Sequence, residues 1–211
     1  MLIFDMDGTL IDSNGIWRDV DIAFLDKRGL PYTKECYEGV AHTIFPLAAV
    51  FTKEYCKLEE SCEEIMAEWM EMAGDMYATS VTVKPGVRDY LEQCRQRGQQ
   101  MMVLTSSVPQ HCHTALTHLG LMDYFEKIVF AQELGLEKKN PECFRKAAQI
   151  MGVAPEDCTV YDDSVAACRG AKAAGMTAVG VYDEFFDMTW DEMQKVCDQY
   201  ILSFEELTEN A

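Results

Sequence analysis

The sequence predicts an α/β fold: a doubly wound, Rossmann-like parallel sheet with an inserted α-helical cap domain. Two observations carry this prediction. Short apolar runs alternate with helical segments from about residue 82 onward, which is the pattern of repeated strand–helix units. A long and mostly helical interval separates the first apolar run from the second. That interval is too long for a crossover connection and too helical for a loop, so it indicates an insertion.

Five apolar runs are predicted to be strands. They lack the polar alternation of a half-exposed strand, so we expect parallel strands that are buried on both faces. The runs are residues 2–4, 101–104, 127–130, 159–161 and 177–181.

Helices are predicted between and after these strands, at about 86–98, 109–119, 141–151, 165–174 and 188–199. Pro85 and Gly86 open the first of them, and Pro109 suits the first turn of the second. Glycines stand where left-handed residues commonly end helices. They are Gly98, Gly120, Gly152 and Gly175.

Residues 14–81 are predicted to form the α-helical cap domain, and residues 1–13 and 82–211 the core domain. The cap interval holds helical patterns near 14–29, 43–57 and 61–79. Methionines and aromatic residues recur through the last of these, and we assign them to core packing. They are Met66, Trp69, Met70, Met76 and Tyr77.

The charge balance limits the partners of this chain. Its 211 residues include 18 Lys and Arg against 36 Asp and Glu, a net charge of −18 at pH 7. Such a chain repels nucleic-acid phosphates and anionic lipid, so neither nucleic acid nor a membrane is expected as a partner. A small anionic substrate then requires a local cation. For the assembly, a monomer or weak homodimer is expected.

The nine cysteines show no CxxC spacing, and the apolar start of the chain is cut short by Asp5 and Asp7 before it resembles a signal peptide. We therefore expect free thiols in a reducing cytoplasm. The run His111-Cys112-His113 resembles a metal cluster, but adjacent helix residues point about 100° apart. It is interpreted as part of a helix without a metal.

Polar side chains follow several of the predicted strands, where an open parallel sheet binds its ligands. Each group taken alone is weak evidence, since acidic runs and Thr-Ser runs often start helices and paired lysines are usually solvated. Their convergence predicts a site. The groups are Asp5 and Asp7, then Thr105 with Ser106 and Ser107, then Lys138 and Lys139, and finally Asp162 and Asp163.

The chemistry of these residues fits phosphoryl transfer. Asp5 can attack phosphorus, and Asp7 can protonate the leaving oxygen and later deprotonate a water. Thr105 and backbone N–H groups at the next helix start suit phosphate oxygens. A lysine would neutralise charge in the transition state. Mg²⁺ prefers oxygen ligands, and Asp162 or Asp163 can face Asp5 to hold such a cation.

Two other interpretations of the acidic run fit less well. An EF-hand loop fails because its glycine falls at loop position four instead of six, and position twelve is Ile16. A response-regulator receiver also uses an Asp pair, Thr or Ser, and Lys, but it is shorter and its phosphorylated Asp follows a later strand.

In the order and content of its motifs, the chain resembles the haloacid dehalogenase-like hydrolase superfamily. Residues 4–13 resemble its first motif, residues 103–107 its second and residues 160–164 its fourth, which supplies Mg²⁺ ligands. The resemblance implies that Asp5, Asp7, Asp162 and Asp163 are the ligands here. The third motif departs from pattern, because Lys138-Lys139-Asn140-Pro141 stands where relatives commonly carry Lys-Pro-x-Pro. Counting back from Pro141 favours Lys138 as the motif lysine, with Lys139 as the alternative. The insertion resembles the helical cap shared with beta-phosphoglucomutase and phosphoglycolate phosphatase.

The resemblance implies a phosphatase that acts on a small phosphorylated metabolite through an aspartyl-phosphate on Asp5. Family dehalogenases and phosphonatases lack the second acid of the first motif, which is present here as Asp7. Mutases of the family carry a cap His where this chain has Trp17, and a cap Arg where it has His42. Trp17, Arg18, His42 and Lys53 are candidate cap residues for the substrate.

Two alternatives stay open: a sugar-phosphate mutase of the beta-phosphoglucomutase type, and a non-catalytic phosphate-binding or regulatory protein with the same fold.

Overall fold

The computed structural model describes residues 1–40 and 45–208. In these residues the chain forms two compact units. The core unit comprises residues 1–14 and 81–211, and the inserted unit comprises residues 15–80. The predicted core and cap domains place the two boundaries one residue away, at 13/14 and 81/82.

The strands of the described chain are β1 (Leu2–Phe4), β2 (Ile11–Asp12), β3 (Thr82–Val83), β4 (Met101–Thr105), β5 (Lys127–Phe130), β6 (Thr159–Asp162), β7 (Thr177–Val181) and β8 (Gln199–Ile201). The α-helices are α1 (Ile16–Asp26), α2 (Lys34–Val40), α3 (Phe45–Cys56), α4 (Cys62–Thr79), α5 (Val87–Gln96), α6 (Pro109–His118), α7 (Pro141–Met151), α8 (Val165–Ala173), α9 (Trp190–Val196) and α10 (Glu205–Thr208). Short 3₁₀ helices cover Met122–Tyr124, Pro155–Asp157 and Glu184–Thr189.

Six strands form a parallel sheet in the order β5-β4-β1-β6-β7-β8. The chain moves outward from β1 through β4 to β5 on one side, and from β6 through β7 to β8 on the other. The direction therefore reverses around β1, and the carboxyl ends of β4, β1 and β6 flank this switch point, where open α/β sheets bind ligands. The predicted α/β fold with a parallel sheet is confirmed.

Both faces of the sheet are covered, which explains why its strands are apolar throughout. Successive side chains of β1 point to opposite faces. Ile3 belongs to a buried cluster that includes Phe144 of α7. On the other face, Phe4 stacks on Tyr161 with ring centroids 4.9 Å apart and meets the Tyr90 ring of α5 edge-on at 6.3 Å.

The four helix ends predicted from glycines are confirmed. Each of the four glycines that was expected to end a helix has a positive φ, which costs glycine little because it has no Cβ. The values are 68° at Gly98, 62° at Gly120, 69° at Gly152 and 93° at Gly175. The His111-Cys112-His113 run lies within α6, with His111 and Cys112 buried.

The inserted unit is a helical bundle of α1 to α4. Its interior includes Phe24 of α1 and Trp69 of α4, whose rings meet edge-on with centroids 5.6 Å apart. Ser61 begins α4 with a capping box, because its side chain accepts from the Glu64 N–H while the Glu64 carboxylate accepts from the Ser61 N–H. Of the predicted packing stripe, Trp69 and Tyr77 are buried and the methionines are half-buried. No described helix is both long and apolar enough to span a bilayer.

Several elements differ from the predictions. Helix α2 was not predicted, and the predicted helix at 188–199 is shorter, because β8 follows it and joins the sheet edge. Residues 11–12 and 82–83 pair as the antiparallel strands β2 and β3, in an interval where no strand was expected between the first two runs. These strands have two or three residues, too few to show a periodic pattern.

Candidate active site

The candidate nucleophile stands at the carboxyl end of the central strand. The backbone N–H of Asp5 donates to the Tyr161 carbonyl at 2.9 Å, which ties the end of β1 to β6. The chain then turns back, since the N–H groups of Leu10 and Ile11 both donate to the Met6 carbonyl. Residues 5–10 therefore form a tight turn that leaves the parallel sheet and leads into β2. This turn is called the nucleophile turn, after its candidate nucleophile Asp5.

Gly8 allows this turn to lie against Asp163, which follows β6. Its φ is +75°, in the left-handed region that favours glycine. A Cβ at this position would stand 2.1 Å from Asn14 Nδ2 and 2.2 Å from Asp163 Oδ2. Both contacts are far below van der Waals separation, so a larger residue would push apart the nucleophile turn and the Asp163 carboxylate.

Three buried carboxylates meet at the switch point. Asp5 follows β1, while Asp162 ends β6 and Asp163 follows it. Oxygen atoms from all three lie within 4.8 Å of one another. Their exposures are 7 %, 1 % and 4 %, so water solvates their charges poorly.

Lys138 places its ammonium in this cluster. Its Nζ lies 2.6 Å from Asp5 Oδ1 and 2.8 Å from Asp162 Oδ2, and the side chain is buried. The Lys139 ammonium instead lies 2.5 Å from Glu137 Oε2, with both side chains exposed. Of the two candidate lysines, Lys138 therefore contacts the carboxylates.

The pKa values show that one ammonium does not balance three carboxylates. Burial raises the pKa of Asp5 well above its usual value; Lys138 opposes the rise, and the charge of Asp162 adds to it. Burial and then the Asp162 charge raise the pKa of Asp163 to about 7. Burial lowers the pKa of Lys138, but its two carboxylate partners outweigh that effect and the net shift is upward.

These observations fit a divalent cation at the cluster. The donors are carboxylate oxygens, which hard cations prefer. Folding brings them together with an excess of negative charge, and a bound cation would favour their ionised forms. Asp5, Asp162 and Asp163 are the residues that could hold it. Asp7, also predicted as a ligand, is not one of this group of three, and its metal role stays a prediction.

Hydrogen bonds orient the carboxylates of β6. Asn14 Nδ2 donates to Asp163 Oδ2 at 2.7 Å, and Thr9 Oγ1 donates to Asp163 Oδ1 at 3.4 Å. The backbone N–H of Ser164 donates to Asp162 Oδ1 at 2.9 Å. The carboxylates are thus held by Thr9 in the turn that follows β1, by Asn14 after β2 and by the start of α8.

Asp7 lies two residues beyond Asp5 and has a different environment. Its Oδ1 accepts a hydrogen bond from Ser13 Oγ at 2.7 Å, and it is less buried than Asp5. The two acids of the turn therefore differ in solvation and in partners, as a separate proton-transfer role for Asp7 requires.

A cavity of about 350 Å³ opens over these groups. Thr105 ends β4 on its wall, is buried, and accepts the Ser107 N–H through its hydroxyl oxygen at 3.0 Å. The Thr105 O–H remains a donor in addition to that bond. Other wall residues include Asp5, Asp7, Asn14, Ser106, Ser107, Lys138, Asp163 and Phe186.

The predicted cap residues lie on the inserted unit. Trp17 is on α1 and meets the Phe45 ring edge-on at 5.4 Å. Arg18, also on α1, pairs with Asp19 at 3.5 Å, and Lys53 donates to the carbonyls of residues 59 and 60. His42 lies outside the described residues. The substrate roles of these residues stay predictions.

Sequence reasoning missed two residues that the structure places at the site. Asn14 follows the first motif directly and orients Asp163, and an amide so close to an acidic run was a usable signal. Phe186 lines the cavity from the 3₁₀ helix after β7. Nothing in the local sequence of Phe186 indicates this position.

Comparisons with known proteins agree with this geometry. A family model described as haloacid dehalogenase-like hydrolase matches residues 1–175. The fructose-1-phosphate phosphatase YqaB of Escherichia coli is 32 % identical over 180 residues, covering 85 % of this chain and 95 % of the relative. A phosphorylated carbohydrates phosphatase of Thermotoga maritima is 25 % identical over 178 residues, covering 84 % and 82 %.

A solved structure shows the same fold. CbbY from Rhodobacter sphaeroides, as a mutant in complex with xylulose-(1,5)bisphosphate, superposes with a TM-score of 0.78 at 19 % identity. The match covers 98 % of this chain and 95 % of that one.

Proposed function

The chain belongs to the haloacid dehalogenase-like hydrolase family, and on that premise we propose that it is a Mg²⁺-dependent phosphatase of a small phosphomonoester. The carrying observation is the placement of Asp5, Lys138, Asp162 and Asp163 around one point at the end of β1. The nine free cysteines support a reducing compartment such as the cytoplasm.

Asp5 is proposed as the nucleophile. A carboxylate oxygen of Asp5 forms a bond to phosphorus as the bond between phosphorus and the ester oxygen breaks, which leaves a phosphoryl group on Asp5. The Lys138 ammonium, 2.6 Å from that carboxylate, and the Thr105 hydroxyl stabilise the charge on the phosphoryl oxygens.

Asp7 is proposed to move the proton. It gives a proton to the departing ester oxygen and then takes one from the water that hydrolyses the aspartyl-phosphate. Inorganic phosphate leaves, and Asp5 returns to its carboxylate form. The hydrogen bond from Ser13 orients the Asp7 side chain for both transfers.

Mg²⁺ is the proposed cation, held by Asp5, Asp162 and Asp163, with Asp7 as a further predicted ligand. When bound, it supplies positive charge that offsets the repulsion between an anionic nucleophile and an anionic substrate. The pKa values of Asp5 and Asp163 are raised, which disfavours their ionised forms. A nucleophilic Asp5 must be ionised, and a bound cation would favour that form.

The proposed substrate class is a phosphorylated sugar or polyol with one phosphate. The relatives are named as phosphatases of fructose 1-phosphate and of phosphorylated carbohydrates. The inserted unit carries thirteen acidic and six basic side chains, which disfavours a second phosphate there. Five of those six basic side chains already contact carboxylates or carbonyls. They are Arg18, Lys27, Arg28, Lys34 and Lys53.

Asp5→Asn tests the nucleophile. With Mg²⁺ and a panel of sugar phosphates and aryl phosphates, phosphate release should fall by at least about 1,000-fold, because the amide is a poor nucleophile. The matched control is Asp191→Asn, an exposed acid of α9 that lies outside the four motifs, which should keep wild-type turnover. Unchanged turnover in Asp5→Asn would contradict the proposed mechanism.

The same panel separates the alternatives. A mutase of the beta-phosphoglucomutase type converts a hexose 1-phosphate into an isomer when trace bisphosphate is present, without net phosphate release. A non-catalytic phosphate-binding protein releases no phosphate from any ester. Net phosphate release from a sugar phosphate excludes the non-catalytic alternative and makes hydrolysis the reaction for that ester.

A further inference from the structure

Lys84 is a largely buried lysine outside the four motifs. It follows β3, and its side chain is 13 % exposed. Its Nζ donates to the Gly8 carbonyl at 2.7 Å, to the Tyr182 carbonyl at 2.7 Å and to Asp183 Oδ2 at 2.8 Å. One ammonium thus joins the nucleophile turn to the segment that follows β7.

These contacts use the full donor capacity of Lys84. An ammonium has three N–H donors, and three acceptors lie at hydrogen-bond distance. The Asp183 carboxylate, itself 4 % exposed on its side chain, balances the charge. Lys84 therefore has no N–H group left for a substrate phosphate, and its role is to hold other groups in place.

On one side, Lys84 holds the turn that carries Asp7. Its ammonium donates to the carbonyl of Gly8, the residue after Asp7, and its backbone N–H donates to the Leu10 carbonyl at 3.0 Å. The turn has little room to move, because Gly8 already lies against Asp163. Loss of the Lys84 contact would leave the buried Gly8 carbonyl without that donor and release the turn.

On the other side, Lys84 holds part of the cavity wall. Asp183 accepts the ammonium through Oδ2 and the Phe185 N–H through Oδ1 at 3.0 Å. The hydrogen bond from the Phe185 N–H caps the start of the 3₁₀ helix Glu184–Thr189, and this helix places Phe186 on the cavity wall. The turn with Asp7 and the wall with Phe186 thus share one anchor.

We infer that Lys84 is a positioning residue that sets the Asp7 carboxylate for proton transfer to the leaving group. This inference rests on the proposed phosphatase function. A misplaced Asp7 carboxyl slows the reaction most when the leaving oxygen must be protonated as it departs. Alkyl phosphates, which release a weakly acidic alcohol, should depend on Lys84. Nitrophenyl phosphate, which releases an acidic phenol, should depend on it far less.

The kinetic test compares kcat/KM for the two substrate types, because this ratio reports the step in which the leaving group departs. In Lys84→Met, kcat/KM for a sugar phosphate should fall by about 30- to 100-fold, within the usual range of general-acid effects. For nitrophenyl phosphate the fall should stay below about 3-fold. The control Lys195→Met removes an exposed lysine of the same unit and should change neither value.

A second variant guards against misfolding, because Lys84→Met leaves Asp183 buried without its partner. Lys84→Met/Asp183→Asn removes both charges, which is far less destabilising than removing one. It should show the same selective loss for the sugar phosphate. A folded double variant with an unchanged ratio of the two kcat/KM values would overturn the inference.

Hydrogen–deuterium exchange tests the positioning without any activity. In the double variant, amides of residues 6–11 should exchange about 10-fold faster, because the turn opens more readily without its anchor. Unchanged exchange there would overturn the inference. Failure of the wild-type protein to release phosphate from any ester would instead refute the proposed function, and the exchange result would still decide whether Lys84 anchors the turn.

Discussion

The core unit and the inserted unit each contain a basic side chain between two carboxylates, yet the two clusters behave differently. In the inserted unit, Arg28 lies 2.9 Å from Glu60 and 2.6 Å from Glu68. In the core unit, Lys138 lies at similar distances from Asp5 and Asp162. The geometry of the pairs is alike, so the difference comes from their surroundings.

Burial and charge balance separate the two clusters. The hydrogen bond from Arg28 lowers the pKa of Glu68, so the carboxylate there is satisfied by its partner. Burial raises the pKa of Asp5 despite Lys138, and the charge of Asp162 adds to the rise. The first cluster is balanced in charge, because Lys27 also lies 2.6 Å from Glu68 and supplies a second cation. The second is a buried set of carboxylates that folding leaves short of positive charge.

The largest effect that this comparison predicts is on turnover. Lys138→Met removes the ammonium that contacts Asp5, the proposed nucleophile, and turnover should fall by about 100- to 1,000-fold, as when other transition-state donors are removed. Lys34→Met removes an exposed cation that pairs with Glu38 on α2 of the inserted unit and should leave turnover within about 2-fold. Steady-state kinetics on a sugar phosphate measure both. An equal loss of turnover in the two variants would contradict the conclusion that only the core cluster acts in catalysis.

Mg²⁺ should stabilise the core cluster specifically. At 100 times its Kd, Mg²⁺ should add about 2.7 kcal/mol to the stability of metal-free protein. That corresponds to a rise of roughly 5–10 °C in Tm for a chain of this size. The measurement is thermal unfolding after chelation and on return of Mg²⁺.

One variant in each cluster tests whether the Tm response to Mg²⁺ comes from the core cluster. Asp163→Asn removes a carboxylate of the cluster and should lose most of the Tm response to Mg²⁺. Glu68→Gln, in the inserted unit, should lower Tm but keep the response, because Arg28 and Glu68 form an ion pair and not a cation site. A full response in Asp163→Asn would contradict the assignment of the cluster.

A smaller effect concerns Asp21, a half-buried acid of the inserted unit. Burial raises the pKa of Asp21 to about 6 from an ordinary value of 3.8. Because the folded pKa is the higher one, the folded state holds the proton more tightly. Asp21 therefore destabilises the fold as pH rises from about 4 to about 6, and the full cost remains above that range.

Asp21→Asn should remove this dependence. The variant should gain on the order of 1–2 kcal/mol over wild type at pH 7.5, after allowance for the partial exposure of Asp21, and much less at pH 4.5. Urea unfolding at both pH values measures the difference. A gain that is the same at both would show that the carboxyl does not titrate in this range.

Much of the core unit could be predicted from the sequence. The five predicted strands and the helices between them depend on local apolar runs and on helix-ending glycines, and these patterns are visible within a few residues. Asp5, Thr105 and Asp162 were placed together for a related reason. Each stands at a strand end, and parallel strands end at the same edge of a sheet.

The inserted unit was predicted less completely. Its helical class followed from the length and pattern of residues 14–81, but α2 was missed and the substrate roles of Trp17 and Arg18 stay predictions. Periodicity shows which face of a helix is apolar, but it does not show which charged side chains find partners. The pairing of Arg28 with Glu60 and Glu68 depends on how α1 packs against α4.

The sequence by itself determined the fold class, the nucleophile turn and the acids at the ends of β1 and β6, because each depends on residues that are close along the chain. Only the tertiary structure decided that Lys138, and not Lys139, contacts the carboxylates. It also decided that Lys84 anchors the turn. Lys84 is 76 residues from Gly8 and 99 from Asp183, and a contact between such distant residues exists only once the sheet has brought them together.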